Sequence, residues 1–367
     1  MVYYAIAIAL TMILSARLAT LQYSAYGTKL RTFQRVKTVW IVLLPLIFLA
    51  LFRWNVGSDS AYESSYWISY HYSADGINDR NFEPAFYWFM KVFAELEVPY
   101  FWFLFSHGLF FFSCVCYAMH RGTVSANWSI AVFFALTIYF DAYSSLRQSL
   151  AEAISLIGWA IMESEQLNKK KDMKILGLFF VSGFFHKMGW LNIPIYLVCK
   201  LHFRDSKNIL IFAGIAVACT PFLQKILPVV MNVFADGYET IGVARINLAV
   251  TGVLFLISWM FSHEICQSSP CGYMYVNQAL CIFVLMLNSG ALFLPYRVYD
   301  MIKIGYIFII PRIVSSITDH RYRFLVKLFI GLMLIALFLN YATHEANAVY
   351  RDYRTIFSDF WRIINLP

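Results

Sequence analysis

Five basic residues lie beside apolar segments on the predicted outer side of a membrane. They are Arg53, Arg147, Lys187, Arg245 and Arg297. Any one of them could be an interfacial anchor, with its aliphatic stem in lipid and its charge among the headgroups. Several on one face favour instead a site for a phosphate or diphosphate, because guanidinium groups match pairs of phosphate oxygens.

An acid–base group follows the first of these residues. The segment from Arg53 continues through Gly57 to Asp59 and Tyr62. Gly57 provides a flexible link, and the Asp59 carboxylate could either orient an arginine or accept a proton. This segment therefore predicts a binding or catalytic element directly after an apolar segment.

Further polar groups accompany two of the other basic residues. Arg147 begins a predicted helix in which Gln148 and Glu152 stand four residues apart, so that both lie on one helix face. His186 precedes Lys187 at the tip between two apolar segments. A histidine there could simply satisfy a neighbouring helix, but its position on the same side as the arginines favours a role in the site.

The elements that must position these residues are membrane helices. Hydrophobic residues make up 60% of the chain and charged residues only 14%, against roughly 25% charged in soluble domains. Apolar blocks lie at about 2–21, 38–52, 99–119, 126–141, 148–163, 174–186, 188–201, 207–224, 245–262, 273–293, 298–313 and 324–341. Such blocks cross about 30 Å of hydrocarbon at 1.5 Å per residue. The sequence thus predicts an all-α polytopic membrane protein with about 12 transmembrane helices, in a single domain over residues 1–367.

Lysine and arginine residues alternate between successive loops, and this alternation predicts the topology, because short cytoplasmic loops collect positive charge. The basic loops contain Lys29, Arg31, Arg35 and Lys37; Arg121; Lys169, Lys170, Lys171 and Lys174; Lys200, Arg204 and Lys207; and Arg312, Arg321, Arg323 and Lys327. The alternation requires the stretch 174–201, which could also be one long helix, to be a hairpin that reverses at His186. It places both termini outside. Loop 263–272 contains no Lys or Arg and is the weak point of the pattern.

The predicted outer side includes a long loop at 53–98 that is rich in aromatic residues. They are Tyr62, Tyr66, Trp67, Tyr70, Tyr72, Tyr87 and Trp88, with several carboxylates among them. Aromatic faces stack on sugar rings, and carboxylates accept hydrogen bonds from sugar hydroxyls. An amphipathic segment packed on the headgroups explains this composition equally well. Both interpretations stay open from the sequence.

The sequence does not indicate other classes of site. The net charge of +8 does not indicate nucleic-acid binding, because the basic residues occupy short loops between apolar blocks. Asp59 and Asp75 are too isolated for a paired metal motif, and Cys266, Cys271 and His263 lack the spacing of a four-ligand zinc site. The seven cysteines predict no disulfide framework, and the apolar N-terminus predicts a retained span rather than a signal peptide.

Five short motifs occur in a recognisable order along the chain. They are Arg53–Tyr62, Glu83-Pro84-Ala85-Phe86, Leu146-Arg147-Gln148-Ser149-Leu150-Ala151, Phe185-His186 and Pro295-Tyr296-Arg297. Together they resemble the EpsG family of bacterial polysaccharide polymerases, which are related in role to the Wzy O-antigen polymerases. The resemblance covers residues from about 40 to 315. Lys187 departs from it, because a small residue is commoner after the histidine.

The resemblance implies that a growing glycan is transferred from undecaprenyl diphosphate onto another lipid-linked oligosaccharide repeat unit, at the outer face of the bacterial inner membrane. The implied partners are these donor and acceptor lipids, membrane lipid, a chain-length regulator and a flippase. The implied catalytic residues are His186, Arg147 and Asp59. The implied substrate-binding residues are Arg53, Arg297, Glu83, Gln148, Glu152 and Tyr62. Because arginines can neutralise the leaving diphosphate, we expect neither a metal nor another cofactor.

Two other classes of function stay open at this stage. An O-antigen ligase, or another membrane transferase such as an acyltransferase with a histidine base, would share the twelve-span plan, and the resemblance alone separates it from a polymerase. A transporter of lipid-linked oligosaccharides is disfavoured, because the chain shows neither two repeated halves nor rows of charge at the bilayer midplane.

Overall fold

The structure, a computed structural model, describes most of the chain. The described residues are 2–23, 29–53, 56–57, 59, 70, 82–164, 168–201, 206–222, 225, 245–288 and 295–343. Tyr62 and most of the predicted outer loop lie outside these ranges.

Sixteen α-helices, one 3-10 helix and one pair of β-strands lie in the described residues. The first half contains α1 (Val2–Leu18), β1 (Thr20–Tyr23), β2 (Lys29–Thr32), α2 (Val36–Leu51), α3 (Pro84–Glu95), α4 (Tyr100–Gly122), α5 (Ala126–Ala135), α6 (Ile138–Ser144) and α7 (Leu146–Ser164). The second half contains α8 (Lys169–Phe185), the 3-10 helix (Lys187–Leu191), α9 (Asn192–Cys199), α10 (Ser206–Ala218), α11 (Arg245–Met260), α12 (Ser262–Ser268), α13 (Gly272–Leu287), α14 (Pro295–Lys303), α15 (Tyr306–Ser316) and α16 (His320–Thr343).

The β-strands are a small departure from the predicted all-α fold. They form an antiparallel pair in which Thr20 lies opposite Thr32 and Leu21 opposite Arg31. The Arg31 guanidinium donates hydrogen bonds to the carbonyl oxygens of Ala16 and Ala19 at the end of α1. The last carbonyl oxygens of a helix have no partner within that helix, so Arg31 of β2 caps the end of α1.

Two helices are long and apolar enough to cross a bilayer by themselves within the described residues, namely α4 and α16. A third span would result if Ile246–Met260 and Ser262–Ser268, which are bent by 72° relative to each other, cross together. Other predicted spans correspond to shorter apolar helices, among them α1, α2, α5, α13 and α15. The protein therefore has the helical, apolar architecture of a membrane protein, and the number of 12 spans remains a prediction.

Helix α7 is the central element for the site, because it packs along α4 on one side and along α8 on the other. Apolar residues such as Trp159 fill these contacts, where the indole lies 5.1 Å from the Phe179 ring. Polar side chains of α7 are buried too, and they find partners on α8 and α9. Ser155 bonds to Ser182 at 3.0 Å, and Trp159 Nε1 donates to Asn192 at 2.9 Å. These hydrogen bonds satisfy polar atoms that would find no partner in lipid hydrocarbon.

Two of the predicted spans are interrupted in the structure. The predicted span 126–141 breaks at Thr137, whose φ of 64° is left-handed, so that α5 ends and α6 begins there. The predicted span 298–313 breaks after Lys303, between α14 and α15. The two breaks meet, because Lys303 Nζ donates to Thr137 Oγ1 at 3.1 Å. An interrupted helix at membrane depth needs such polar contacts to satisfy its ends.

The predicted reversal at His186 is confirmed. Helix α8 ends at Phe185, the 3-10 helix follows, and α9 returns so that Tyr196 and Lys200 both donate to the Asp172 carboxylate at 2.6 Å. The turn is tight, since a Cβ atom on Gly189 would lie 2.4 Å from Ser182 Oγ. His186 therefore lies at one end of the hairpin, and Asp172 lies with Tyr196 and Lys200 at the other end.

Candidate functional site

The N-terminus of α7 is held by the segment that follows Arg53. The Asp59 carboxylate accepts a hydrogen bond from the Leu146 backbone N–H at 3.2 Å, one residue before Arg147. Gly57 makes this approach possible, because its φ is +95° and an added Cβ would lie 2.6 Å from the Tyr143 carbonyl oxygen. Asp59 thus stabilises the start of α7, where a carboxylate also complements the helix dipole.

Arg147 forms an ion pair with Glu83, which joins α7 to the beginning of α3. The Arg147 Nη1 and Glu83 Oε2 atoms are 2.6 Å apart, and the side chains are 19% and 6% exposed. The other Glu83 oxygen accepts from the Lys187 backbone N–H at 3.2 Å. The Arg147 guanidinium also lies over the Phe82 ring, 5.3 Å from its centroid. Glu83 therefore connects Arg147 to the turn of the α8–α9 hairpin.

His186 occupies this turn, partly buried, between α8 and the 3-10 helix. Its Nδ1 accepts a hydrogen bond from the Met188 backbone N–H at 3.3 Å. Burial and then the positive charges of Arg147, Arg297 and Lys187 hold the pKa of His186 well below its usual value. Because Nδ1 is the acceptor of this hydrogen bond, a neutral His186 ring carries its proton on Nε2, where it can donate a hydrogen bond.

Arg297 reaches the start of α7 from the first turn of α14. Its Nη1 donates to Ser145 Oγ at 2.7 Å and to Gln148 Oε1 at 3.2 Å. The Gln148 amide returns a hydrogen bond from Nε2 to the Arg297 carbonyl oxygen at 3.1 Å, and a second one to Glu152 Oε1 at 2.9 Å. The predicted i, i+4 contact of Gln148 and Glu152 is thus present, and both belong to the network that holds Arg297.

Arg53 lies deeper in the protein and is only 2% exposed. Its guanidinium donates to the carbonyl oxygens of Ala50 at 2.5 Å and Ala142 at 3.3 Å, and it lies 4.8 Å from the centre of the Tyr143 ring. Arg53 thus links the end of α2 to α6, beside the segment that carries Asp59. Its binding of substrate stays a prediction.

The structure brings most of the predicted site residues to one end of the α8–α9 hairpin. The residues gathered there are Glu83, Arg147, Gln148, His186, Lys187 and Arg297, with Asp59 at the N-terminus of α7. We call this group the arginine cluster. Glu152 lies behind it and is 1% exposed. Tyr62 and the side chain of Arg245 lie outside the described residues. The catalytic and binding roles stay predictions.

A buried ionic centre that was not predicted from the sequence lies next to Glu152. Lys303 is 1% exposed, and its Nζ lies 3.0 Å from Asp141 Oδ2 and 2.7 Å from Asp300 Oδ1. One signal could have found it, since Lys303 is an ionisable residue inside the apolar block 298–313. Charges inside predicted spans commonly have a partner or a function.

The arginine cluster combines two guanidinium groups with neutral polar groups. Arg147 lies in the first turn of α7, and Arg297 donates to Ser145 and Gln148 beside it. Guanidinium groups and hydrogen-bond donors of this kind stabilise phosphate oxygens. Within the described ranges, no group of three or more His, Cys, Asp or Glu residues is arranged to hold a metal ion.

Comparisons with known proteins agree with the ordered motifs. A protein-family model described as the EpsG family matches residues 36–355, which is most of the chain. No curated protein and no solved structure matches it.

Proposed function

Because the chain belongs to the EpsG family, a family of Wzy-type polysaccharide polymerases, we propose that it extends a polysaccharide on a lipid carrier. The donor is a growing glycan on undecaprenyl diphosphate, and the acceptor is the terminal sugar of another lipid-linked oligosaccharide repeat unit. The observation that carries this proposal is that Arg147 and Arg297 meet at the N-terminus of α7, where Arg147 lies in the first turn and Arg297 donates to Ser145 and Gln148. Such a cluster suits a diphosphate better than it suits a neutral sugar.

In the proposed reaction, the bond between the anomeric carbon of the donor and its diphosphate oxygen breaks. The diphosphate leaves with the electron pair, and the acceptor hydroxyl oxygen forms the new bond to the anomeric carbon. Arg147 and Arg297 stabilise the charge of the leaving diphosphate. The N-terminus of α7 adds its positive dipole end, since Arg147 lies in the first turn of that helix.

The hydrogen bond at His186 Nδ1 supports one of two roles for this residue. Because Nδ1 accepts from the Met188 N–H, the neutral ring presents a donor at Nε2, which suits a diphosphate oxygen better than it suits the proton of a hydroxyl group. Asp59 is then the proposed acceptor of the hydroxyl proton, because its carboxylate lies beside the start of α7. Glu83 and Gln148 orient the two arginines.

The proposed location is the inner membrane of a bacterium, with the arginine cluster on the outer side. The Lys and Arg distribution between the loops supports this orientation. The short apolar helices would complete the membrane domain to about 12 spans, in pairs or alone. A chain-length regulator and a flippase are proposed to act with it, because lipid-linked repeat units must reach the outer face before they are joined.

Polymerisation by the purified protein is the direct test. Given lipid-diphosphate repeat units in excess EDTA, the protein should produce a ladder of longer chains on a gel, because cationic side chains replace a metal. Loss of the ladder in EDTA and its return with magnesium or manganese would contradict the metal-independent reaction. In a deletion strain, the anchor should retain a single repeat unit. A bare core would indicate a ligase, and repeat units stranded inside would indicate a flippase.

A further inference from the structure

The buried ionic group behind the arginine cluster joins the two helix breaks. We call it the Lys303 centre, and it consists of Lys303, Asp141, Asp300, Thr137 and Glu152. Lys303 Nζ lies within 3.1 Å of the Thr137 hydroxyl oxygen, the Asp141 carboxylate and the Asp300 carboxylate. Glu152 is an electrostatic neighbour of both Asp141 and Lys303. One buried ammonium group therefore lies among several carboxyl groups.

Helix α14 connects this centre to the arginine cluster. The helix has 9 residues, with Arg297 near its beginning and Lys303 at its end. Arg297 donates hydrogen bonds to Ser145 and Gln148. Lys303 donates a hydrogen bond to Thr137 and forms an ion pair with Asp141. Polar contacts at both ends therefore set the position of α14 against α6 and α7.

The Gln148 amide makes the second connection. Its Nε2 donates to Glu152 Oε1, and this leaves its Oε1 turned toward the Arg297 guanidinium. Because Glu152 Oε1 accepts this hydrogen bond, Glu152 selects this orientation of the amide. If the amide turned over, its NH2 group would face the positive charge of Arg297, and the hydrogen bond would be lost.

We propose that the Lys303 centre is a positioning device for Arg297. Lys303 and Asp141 hold the end of α14, Glu152 orients Gln148, and Gln148 holds the Arg297 guanidinium toward the diphosphate. Lys303 and Glu152 are each 1% exposed, so they act through Gln148 and α14 rather than by touching substrate. This inference rests on the proposed function.

The test is the affinity of the purified full-length protein for a polyprenyl diphosphate in detergent micelles, measured by calorimetry. Glu152→Met keeps the length of the side chain but removes the oxygen that accepts from Gln148, and it should weaken binding by about tenfold, as expected for a lost buried hydrogen bond. In an Arg297→Ala background the same change should have no further effect, because the guanidinium that it positions is gone. In polymerisation, Glu152→Met should raise KM for the lipid donor and leave kcat within about twofold.

Glu95→Met is the matched control, because Glu95 is an exposed carboxylate on α3 that pairs with the nearby Lys91. It should bind like wild type. If Glu152→Met does not fold, Thr137→Val, which removes one contact of Lys303, replaces it and should weaken binding in the same direction.

The outcomes separate the two proposals. Wild-type protein that binds no polyprenyl diphosphate would contradict the proposed function itself. If wild type binds, then unchanged binding by Glu152→Met or by its Thr137→Val replacement, or additive losses in the double variant, would overturn the positioning role alone.

Discussion

Two ion pairs of equal length lie at opposite ends of the α8–α9 hairpin, and their surroundings differ. Arg147 and Glu83 are 2.6 Å apart at the end that carries His186, and Lys200 and Asp172 are 2.6 Å apart at the other end. Glu83 is 6% exposed, whereas Asp172 is 21% exposed. The distance between the charges is therefore the same at both ends, and only their exposure to solvent differs.

The two ion pairs also differ in the groups that contact them. At the His186 end, the Lys187 backbone N–H donates to Glu83, and Arg297 donates to Gln148, the residue that follows Arg147. At the other end, Asp172 accepts from both Tyr196 and Lys200. Burial opposes ionisation there, but these hydrogen bonds hold the pKa of Asp172 below its usual value. The first end thus has a second arginine beside the ion pair, and at the second end hydrogen bonds satisfy the Asp172 carboxylate.

The sidedness of the two ends provides the sharpest test of this comparison. In a background without native cysteines, Asp75→Cys should react with an impermeant thiol reagent in cells with a permeabilised outer membrane, and Lys170→Cys should not. The reason is that Lys170 belongs to a basic loop assigned to the cytoplasm. Mass spectrometry of the labelled protein measures both sites. The reverse labelling would move the arginine cluster to the cytoplasmic side.

Arg147 should show the largest effect on activity. Both Arg147→Lys and Arg147→Ala should reduce polymerisation about a hundredfold, because lysine keeps the charge but loses the planar fork. The matched change at the other end, Lys200→Ala, should leave polymerisation within about twofold. Gel ladders at equal protein abundance measure all three. A full ladder from Arg147→Lys would identify Arg147 as an interfacial anchor, which accepts lysine readily.

His186 should show a smaller effect with a distinctive rescue. His186→Ala should abolish long chains, with initial rates reduced at least about tenfold, because a hydrogen bond to the diphosphate is lost. His186→Gln, which restores a side-chain donor, should recover part of the rate if His186 donates. Equal losses in the two variants would favour proton transfer by the imidazole instead. Membrane abundance of each variant should match wild type. If Arg147→Lys and His186→Ala both make full ladders, the site lies elsewhere, around Arg53, Asp59 and Arg297.

The smallest effect is expected from the pair at the other end. Asp172→Asn should lower the free energy of unfolding by about 1 kcal/mol or less, as is usual for exposed pairs. Because the folded-state pKa of Asp172 is lowered, the contribution is present above the unfolded value of about 3.9 and is lost as the pH falls through the folded value. Unfolding titrations in detergent at pH 7 and below 4 should therefore show the difference between variant and wild type shrinking. A difference that grows toward low pH would contradict this assignment.

The sequence by itself determined the features that depend on neighbouring residues and on composition. The apolar blocks predicted a helical membrane protein, and the order of short motifs predicted the EpsG family, which the family comparison confirms. The basic loops predicted the reversal at His186, and the four-residue spacing of Gln148 and Glu152 predicted their contact. The membrane class follows from hydropathy, the reversal from the distribution of positive charge, the Gln148–Glu152 contact from the pitch of one helix, and the family from the identity and order of short motifs.

Only the tertiary structure decided which distant side chains meet. Glu83 and Arg147 are 64 positions apart, and Thr137 and Lys303 are 166 positions apart. The break at Thr137 and helix α3 within the predicted 53–98 loop were not predicted either. Helical periodicity specifies which face of a helix a residue occupies, but not which helix covers that face. Contacts across such distances arise only when the packing of several helices brings their polar atoms within hydrogen-bonding distance.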